Sequence, residues 1–129
     1  MDNPTLMIAE DDYIIREWML KSLLEPHFTI VASVDSGRDA VAAAAAHKPR
    51  IVLLDLSLPE IRGFDAARQI LAANHDCKVL FVSNYADRTY PGAAKELGAS
   101  GYVLKSRAVT DLLPAIEAAL ADRFYQSPF

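Results

Sequence analysis

One cysteine in 129 residues, Cys77, leaves no partner for an internal disulfide, and no Cys or His stands beside it at metal-ligand spacing. Cys77 is therefore expected to be a small buried apolar residue, and His27, His47 and His75, equally unspaced, take no function. Basic residues are in the minority: 13 Lys+Arg against 17 Asp+Glu give a formal charge of −4, with no Lys/Arg stripe. That balance argues against a direct nucleic-acid surface. No window approaches the roughly 18–20 apolar residues of a membrane span. The opening "MDNPTLMIAE" has neither the cationic nor the apolar region of a secretory leader, so a cytoplasmic location is expected. Five Gly and seven Pro are scattered, there is no internal repeat, and low complexity is confined to the alanine run at 42–46. With 52% hydrophobic and 23% charged residues, disorder is excluded and one folded domain is expected.

Five short apolar runs rich in β-formers are present: "TLMIAE" (5–10), "FTIVASV" (28–34), "RIVLLDL" (50–56), "KVLFVS" (78–83) and "GYVLK" (101–105). Helical apolar spacing fills the intervals. Over 12–24, Ile14, Ile15, Trp18, Met19 and Leu23 are expected on one face. Over 37–47, Asp35 or Ser36 can cap and Asp39 favours the first turn; 64–73, 87–98 and 109–121 complete the set. Gly98 suits the left-handed residue that stops a helix. Pro91 belongs near a helix start, whereas Pro114 falls inside the last helical pattern and removes a backbone bond. Strands alternating with helices, the strands apolar along their whole length, predict an α/β fold: a five-stranded parallel sheet with helices on both faces.

Against that pattern "IVLLDLSLPEIRG", residues 51–63, is anomalous, because Asp55 puts a charge at the end of a buried strand. In an open parallel sheet, ligands collect at the carboxyl ends of the strands. Those ends carry Glu10, Asp11 and Asp12 after the first strand, Asp55 after the third, Ser83 and Asn84 after the fourth and Lys105 after the fifth. Crowded carboxylates repel one another unless a cation joins them, and a hard ion such as Mg²⁺ suits such oxygen ligands. A carboxylate beside Mg²⁺, flanked by a hydroxyl and an ammonium, is equipped for phosphoryl transfer: Asp55 attacks phosphorus while the cations neutralise the equatorial oxygens.

This constellation resembles the receiver domain of bacterial two-component response regulators over residues 4–121. The motifs that carry the resemblance are the acidic residues after the first strand, "LLDLSLP" with Pro59 four places beyond Asp55, Gly63, Ser83, Tyr102 and Lys105. The resemblance implies a (βα)5 flavodoxin-like receiver fold and makes Asp55 the phosphoacceptor. The family's acidic pair lies five residues before an Arg of the first helix, which places it on Glu10 and Asp11 with Arg16 as that Arg; Asp12 is the alternative. By the same resemblance the backbone carbonyl of Ser57 adds a metal ligand, Lys105 pairs with the phosphoryl group, and Ser83 and Tyr102 form the switch. Ser106 stands where many members have a proline joined through a cis peptide, and a trans bond is expected here.

"VSNYADR" at 82–88, "GYVLKS" at 101–106 and the ending "ADRFYQSPF" are similar to the NarL/LuxR-type subfamily. Residues 1–121 are then the receiver and 122–129 a tail that starts a linker toward a helix-turn-helix output domain. The resemblance implies a signalling switch phosphorylated by a sensor histidine kinase or phosphotransfer protein. Its response is expected to involve the surface of the fourth helix, fifth strand and fifth helix, where a phosphorylation-dependent homodimer can form. A stand-alone regulator or phosphorelay intermediate is the alternative. A hydrolase with an Asp nucleophile, of the haloacid-dehalogenase type, would carry an acid where Ser57 stands. A phosphate-binding flavodoxin-like module would need Gly, Ser or Thr where "EDDYI" stands.

Overall fold

The computed structural model describes residues 3–129. Strands β1 (Thr5–Ala9), β2 (Thr29–Val34), β3 (Ile51–Leu54), β4 (Lys78–Ser83), β5 (Gly101–Leu104) and β6 (Tyr125–Gln126) form one parallel sheet in the order β2-β1-β3-β4-β5-β6. The helices are α1, a π-helical stretch Ile14–Leu20 continued as Lys21–Leu24, then α2 (Gly37–His47), α3 (Gly63–Ala73), α4 (Thr89–Leu97) and α5 (Ala108–Leu120). A 3-10 turn, Lys105–Arg107, leads into α5.

Alternation along each strand sorts the core into two layers. Met7, Ala9, Val52, Leu54, Val79 and Phe81 face the layer that holds Ala40, Ala66, Ile70 and Ala94 of α2–α4. Leu6, Ile8, Ile51, Leu53, Leu80 and Val82 face Leu20, Leu24, Leu112 and Ile116 of α1 and α5. Cys77 is buried in the first layer, and burial pushes its thiol up to about 11, so it behaves as an apolar residue. Ser36 is the cap of α2, its hydroxyl accepting from Asp39 N at 3.0 Å.

Two expectations are corrected. The sheet has six strands, not five, because Tyr125–Gln126 pairs with β5. Two residues beside Ser-Pro carry no alternation that would mark a strand. The apolar set of α1 also divides: Ile15, Met19 and Leu23 pack on the core, whereas Ile14 and Trp18 are exposed. The Lys21 N–H reaches back to Arg16 O, five residues away, so the turn is wider than 3.6 residues and the inward face drifts to Leu20 and Leu24. Pro114 does sit inside α5. Both it and Thr110, whose carbonyl it leaves unpaired, are on the exposed side, where water substitutes. The Lys105–Ser106 bond is trans, as expected.

One glycine shapes the carboxyl edge of the sheet and another the amino edge. A Cβ on Gly63 would lie 2.5 Å from Asp55 O and 2.7 Å from Leu56 Cα, so only glycine lets α3 start this close to the end of β3. Gly98 ends α4 at φ +100°, and a Cβ there would meet nothing nearer than Leu71 Cδ1 at 3.7 Å. Gly98→Ala should therefore cost only the left-handed backbone penalty of about 1–2 kcal/mol in urea unfolding. A variant as stable as wild type would refute that reading of the α4 stop.

Candidate functional site

Strand order reverses at β1, which lies between β2 and β3; the crossover after β1, α1, and the crossover after β3, α3, cover opposite faces, and this is where a parallel sheet opens a crevice. Glu10 and Asp11 leave β1 there and Asp55 follows β3 beside them, its N–H bonded to Ala9 O at 3.0 Å. Glu10 is 1% and Asp55 5% exposed. Lys105, arriving from β5, puts Nζ 2.6 Å from Glu10 Oε1 and 3.1 Å from Asp55 Oδ2. Together these residues line an open cleft of about 480 Å³, with Asp12, Ile15, Ser57, Asn84 and Tyr85 on its rim.

Charge is unbalanced in this cleft. Burial pushes the Glu10 carboxyl up to about 7, against the pull of Lys105 and the Asp12 N–H, and the nearby Asp55 charge adds to the rise. Burial alone would lower the Lys105 ammonium's pKa, but Glu10 and Asp55 raise it above its ordinary value. Carboxylate oxygens of Glu10, Asp11 and Asp55 lie within 4.8 Å of one another. Glu10 Oε1 is buried, and the Lys105 ammonium at 2.6 Å, which Asp55 shares, is the close polar contact found for it. Three carboxylates with their oxygens this close and one ammonium shared between two of them fit a hard cation such as Mg²⁺.

The other residues singled out in the sequence take definite places. Asp12 is not in the three-carboxylate group; its Oδ1 accepts from the N–H groups of Ile14 and Ile15 at 2.9 and 3.1 Å and so caps α1. Arg16 donates to the backbone carbonyl of Glu10 at 2.7 Å and holds the strand end from below. Ser57 lines the cleft, its N–H on Asp55 Oδ1 at 3.2 Å. Ser83 is fully buried, its hydroxyl accepting from Tyr85 N at 3.0 Å. Tyr102 is fully buried too, and its hydroxyl donates to Tyr85 O at 2.7 Å. Sequence reasoning missed Tyr85, whose hydroxyl is 3.0 Å from Ser57 Oγ across the cleft mouth. An aromatic in a polar loop, two places past a strand-end serine, was the available signal.

Residues 6–117 match the sequence profile described as the response regulator receiver domain. The chain belongs to that family. Among curated proteins, this receiver domain is 34% identical to the transcriptional regulatory protein PdtaR of Mycobacterium tuberculosis over 116 residues, 90% of this chain and 56% of PdtaR. It is 31% identical to the transcriptional regulatory protein DegU of Brevibacillus brevis, over 95% of this chain and 52% of DegU. The chain thus spans about half the length of these relatives. Among solved structures it superposes on a LuxR-family two-component response regulator of Aurantimonas sp. SI85-9A1 with TM-score 0.90 and 32% identity, covering 98% of this chain and 91% of that one. A LuxR-family DNA-binding response regulator of Staphylococcus aureus superposes with TM-score 0.82 and 30% identity, covering 90% and 98%. The fold class and the family resemblance are both borne out, and the relatives are regulators rather than hydrolases. No helix of the described residues is long and apolar enough to cross a membrane.

The raised Glu10 pKa sets a sign for pH. Its native-state proton is held up to about 7 rather than 4.5, so its contribution to stability is full below 4.5 and is lost as pH rises through 7. In chelator, the stability of wild type relative to Glu10→Gln should fall by about 3 kcal/mol or less across that window, read from urea midpoints. A difference that stays flat or grows with pH would contradict the assignment.

Proposed function

We propose that this receiver domain is a phosphorylation switch whose phosphoacceptor is Asp55. The observation that carries the proposal is the buried Asp55 carboxylate at the sheet's switch point, grouped with Glu10 and Asp11 and paired with Lys105. Glu10, Asp11, Asp55 and the Ser57 carbonyl would hold Mg²⁺, which supplies charge neutralisation for phosphoryl oxygens. An Asp55 oxygen forms the new bond to phosphorus as the donor's P–N bond, in a phosphohistidine, breaks and nitrogen leaves with its electron pair. Lys105, placed 3.1 Å from Asp55 Oδ2, neutralises the arriving charge. The chemistry is confined to the domain's own phosphorylation and dephosphorylation.

The donor is a sensor histidine kinase or phosphotransfer protein. Tyr13, just before α1, and Ile14 and Trp18 on it are 60%, 62% and 69% exposed, three large side chains left uncovered next to Asp12 and Ile15 of the cleft. The π-turn that expels Ile14 and Trp18 from the core is what makes that patch, which we assign to the donor. Phosphorylation adds roughly −1.5 to −2 charge and three acceptor oxygens. Ser83 turns its hydroxyl to one of them, and the inward Tyr102 follows the loop between β4 and α4, so the response is felt on α4, β5 and α5, where self-association is proposed. Output is transcriptional, by likeness to the regulators it matches, through sequence outside residues 1–129, with a stand-alone regulator or phosphorelay intermediate as the second reading. A cytoplasmic location belongs to the same proposal.

With Mg²⁺ and acetyl phosphate, wild type should gain one phosphoryl group by mass and Asp55→Asn none; equal gain in both removes Asp55. Trp18→Ala should slow transfer from a phosphohistidine protein by tenfold or more, the equivalent of about 1.4 kcal/mol, while leaving acetyl phosphate uptake unchanged. Equal slowing with both donors would place Trp18 in the fold rather than in docking.

A further inference from the structure

The segment after α5 is bound more elaborately than a two-residue strand requires. Its backbone joins the open edge of β5, Tyr125 N donating to Ser100 O at 3.4 Å and Ser127 N to Tyr102 O at 2.9 Å. Ser127 is fully buried; its hydroxyl donates to Asp111 Oδ2 at 2.7 Å and accepts from Leu104 N at 3.1 Å. Asp111, itself buried in the first turn of α5, also accepts from Arg107 and Thr110. Burial alone would raise its pKa, yet Arg107, Ser127 and Thr110 hold this carboxyl below its ordinary value. On the other side, Lys95 of α4 places its ammonium 5.8 Å from the Phe124 ring. Phe129 closes the segment: Arg88, just before α4, donates to its carbonyl at 3.3 Å, and its ring lies 6.2 Å from that of Tyr102.

These contacts converge on Tyr102. Its ring is fully buried although β5 would be the sheet edge without β6, and its hydroxyl holds Tyr85 O, two residues after Ser83. Phe129 packs on the buried layer that holds Tyr102, its ring beside the Tyr102 ring. Through Arg88 the same segment grips the loop that carries Tyr85. Inward Tyr102, the Tyr85 loop and the docked segment are therefore one packed unit.

We propose that residues 124–129 are an intramolecular strap that locks Tyr102 inward, so that docking of the strap and phosphorylation of Asp55 strengthen each other. The coupling half rests on the reading of Asp55 as phosphoacceptor. Reciprocity is a matter of linkage: whatever factor the strap adds to the phosphorylated state, phosphorylation adds to strap docking.

The test uses the full chain with Phe129→Ala, and with Ser127→Ala provided it melts cooperatively; Phe129→Ala, half-buried at the surface, carries the result if the second variant unfolds. Without any phosphodonor, the variants should speed amide exchange at Tyr125 and Ser127 and free the Tyr102 ring, seen as averaging of its NMR side-chain couplings. A Tyr102 ring that stays in one rotamer in Phe129→Ala overturns the lock. With Mg²⁺ and beryllofluoride as the phosphoryl mimic, the variants should bind about fivefold or more weakly, and wild-type exchange at 125–127 should slow on binding. Equal affinity, or faster exchange, overturns the coupling. Wild type that binds no beryllofluoride and takes no phosphoryl group would refute the Asp55 reading instead, and the donor-free measurement still decides whether the strap locks the ring.

Discussion

Two buried carboxylates share one ammonium at the carboxyl end of the sheet, and the rest of the molecule is arranged around that imbalance. Glu10 and Asp55 approach each other because β1 and β3 are paired in parallel register, Ala9 opposite Leu54, so that both chains exit the core at one level. Lys105 reaches them from β5, two strands away from β3 across β4. No local interaction would bring three charged groups into an apolar interior; the energy comes from the aliphatic strands behind them, each buried Leu, Ile or Val contributing roughly 1.5–3 kcal/mol. What the strands hold in place is a site with surplus negative charge, and Glu10 answers by retaining its proton to about 7. A site so strained electrostatically favours any ligand that brings positive charge, and it yields its proton when that ligand arrives.

Positioning at this edge is done by backbone contacts as much as by side chains. Gly63 lets α3 begin against the Asp55 carbonyl, and its N–H donates to Leu56 O at 3.0 Å. Arg16 grips the Glu10 carbonyl while Asp12 starts α1 directly beyond it. The acidic run Glu10-Asp11-Asp12 thus divides its labour by depth: the first is buried, the second stands exposed at the cleft with its carboxylate in the group, and the third is spent on the helix. Like residues in sequence become unlike in chemistry because the chain turns at that point from strand to helix.

That division explains what could be read from the sequence and what could not. Strands and most helices were legible to within a residue or two, since Val, Ile and Leu runs broken by Gly, Ser and Asp leave few alternatives, and strand-end acids announce a site in any parallel sheet. The face of α1 was not legible, because a 3.6-residue period was assumed where the backbone winds wider and turns Ile14 and Trp18 outward. Tyr85 escaped notice because nothing local says that a loop aromatic will reach back to Ser57. The sixth strand escaped for a different reason: its stability is tertiary, resting on Ser127 between Asp111 and Leu104 N rather than on any β-forming run.

An edge strand exposes unpaired N–H and C=O groups and invites association. Here β5 would be that edge, and it is also the strand that carries Lys105 to the acidic cleft and Tyr102 to the core. Covering it with the chain's own residues 125–126 removes a hazard from the element that matters most to the site. It also changes what a second copy would meet, since the outer surface between α4 and α5 then presents exposed Gln126 and Pro128 and half-buried Phe124 and Phe129 in place of bare β5 backbone. A second copy on this face would therefore meet side chains of α4, α5 and residues 124–129, or would have to displace that segment and break the buried Ser127–Asp111 bond. Displacement takes the Ser127 hydroxyl from Asp111, which keeps Arg107 and Thr110, and leaves the Leu104 N–H without its acceptor, at a cost of about 1–3 kcal/mol where that group stays buried, so packing over the docked segment is the less costly route.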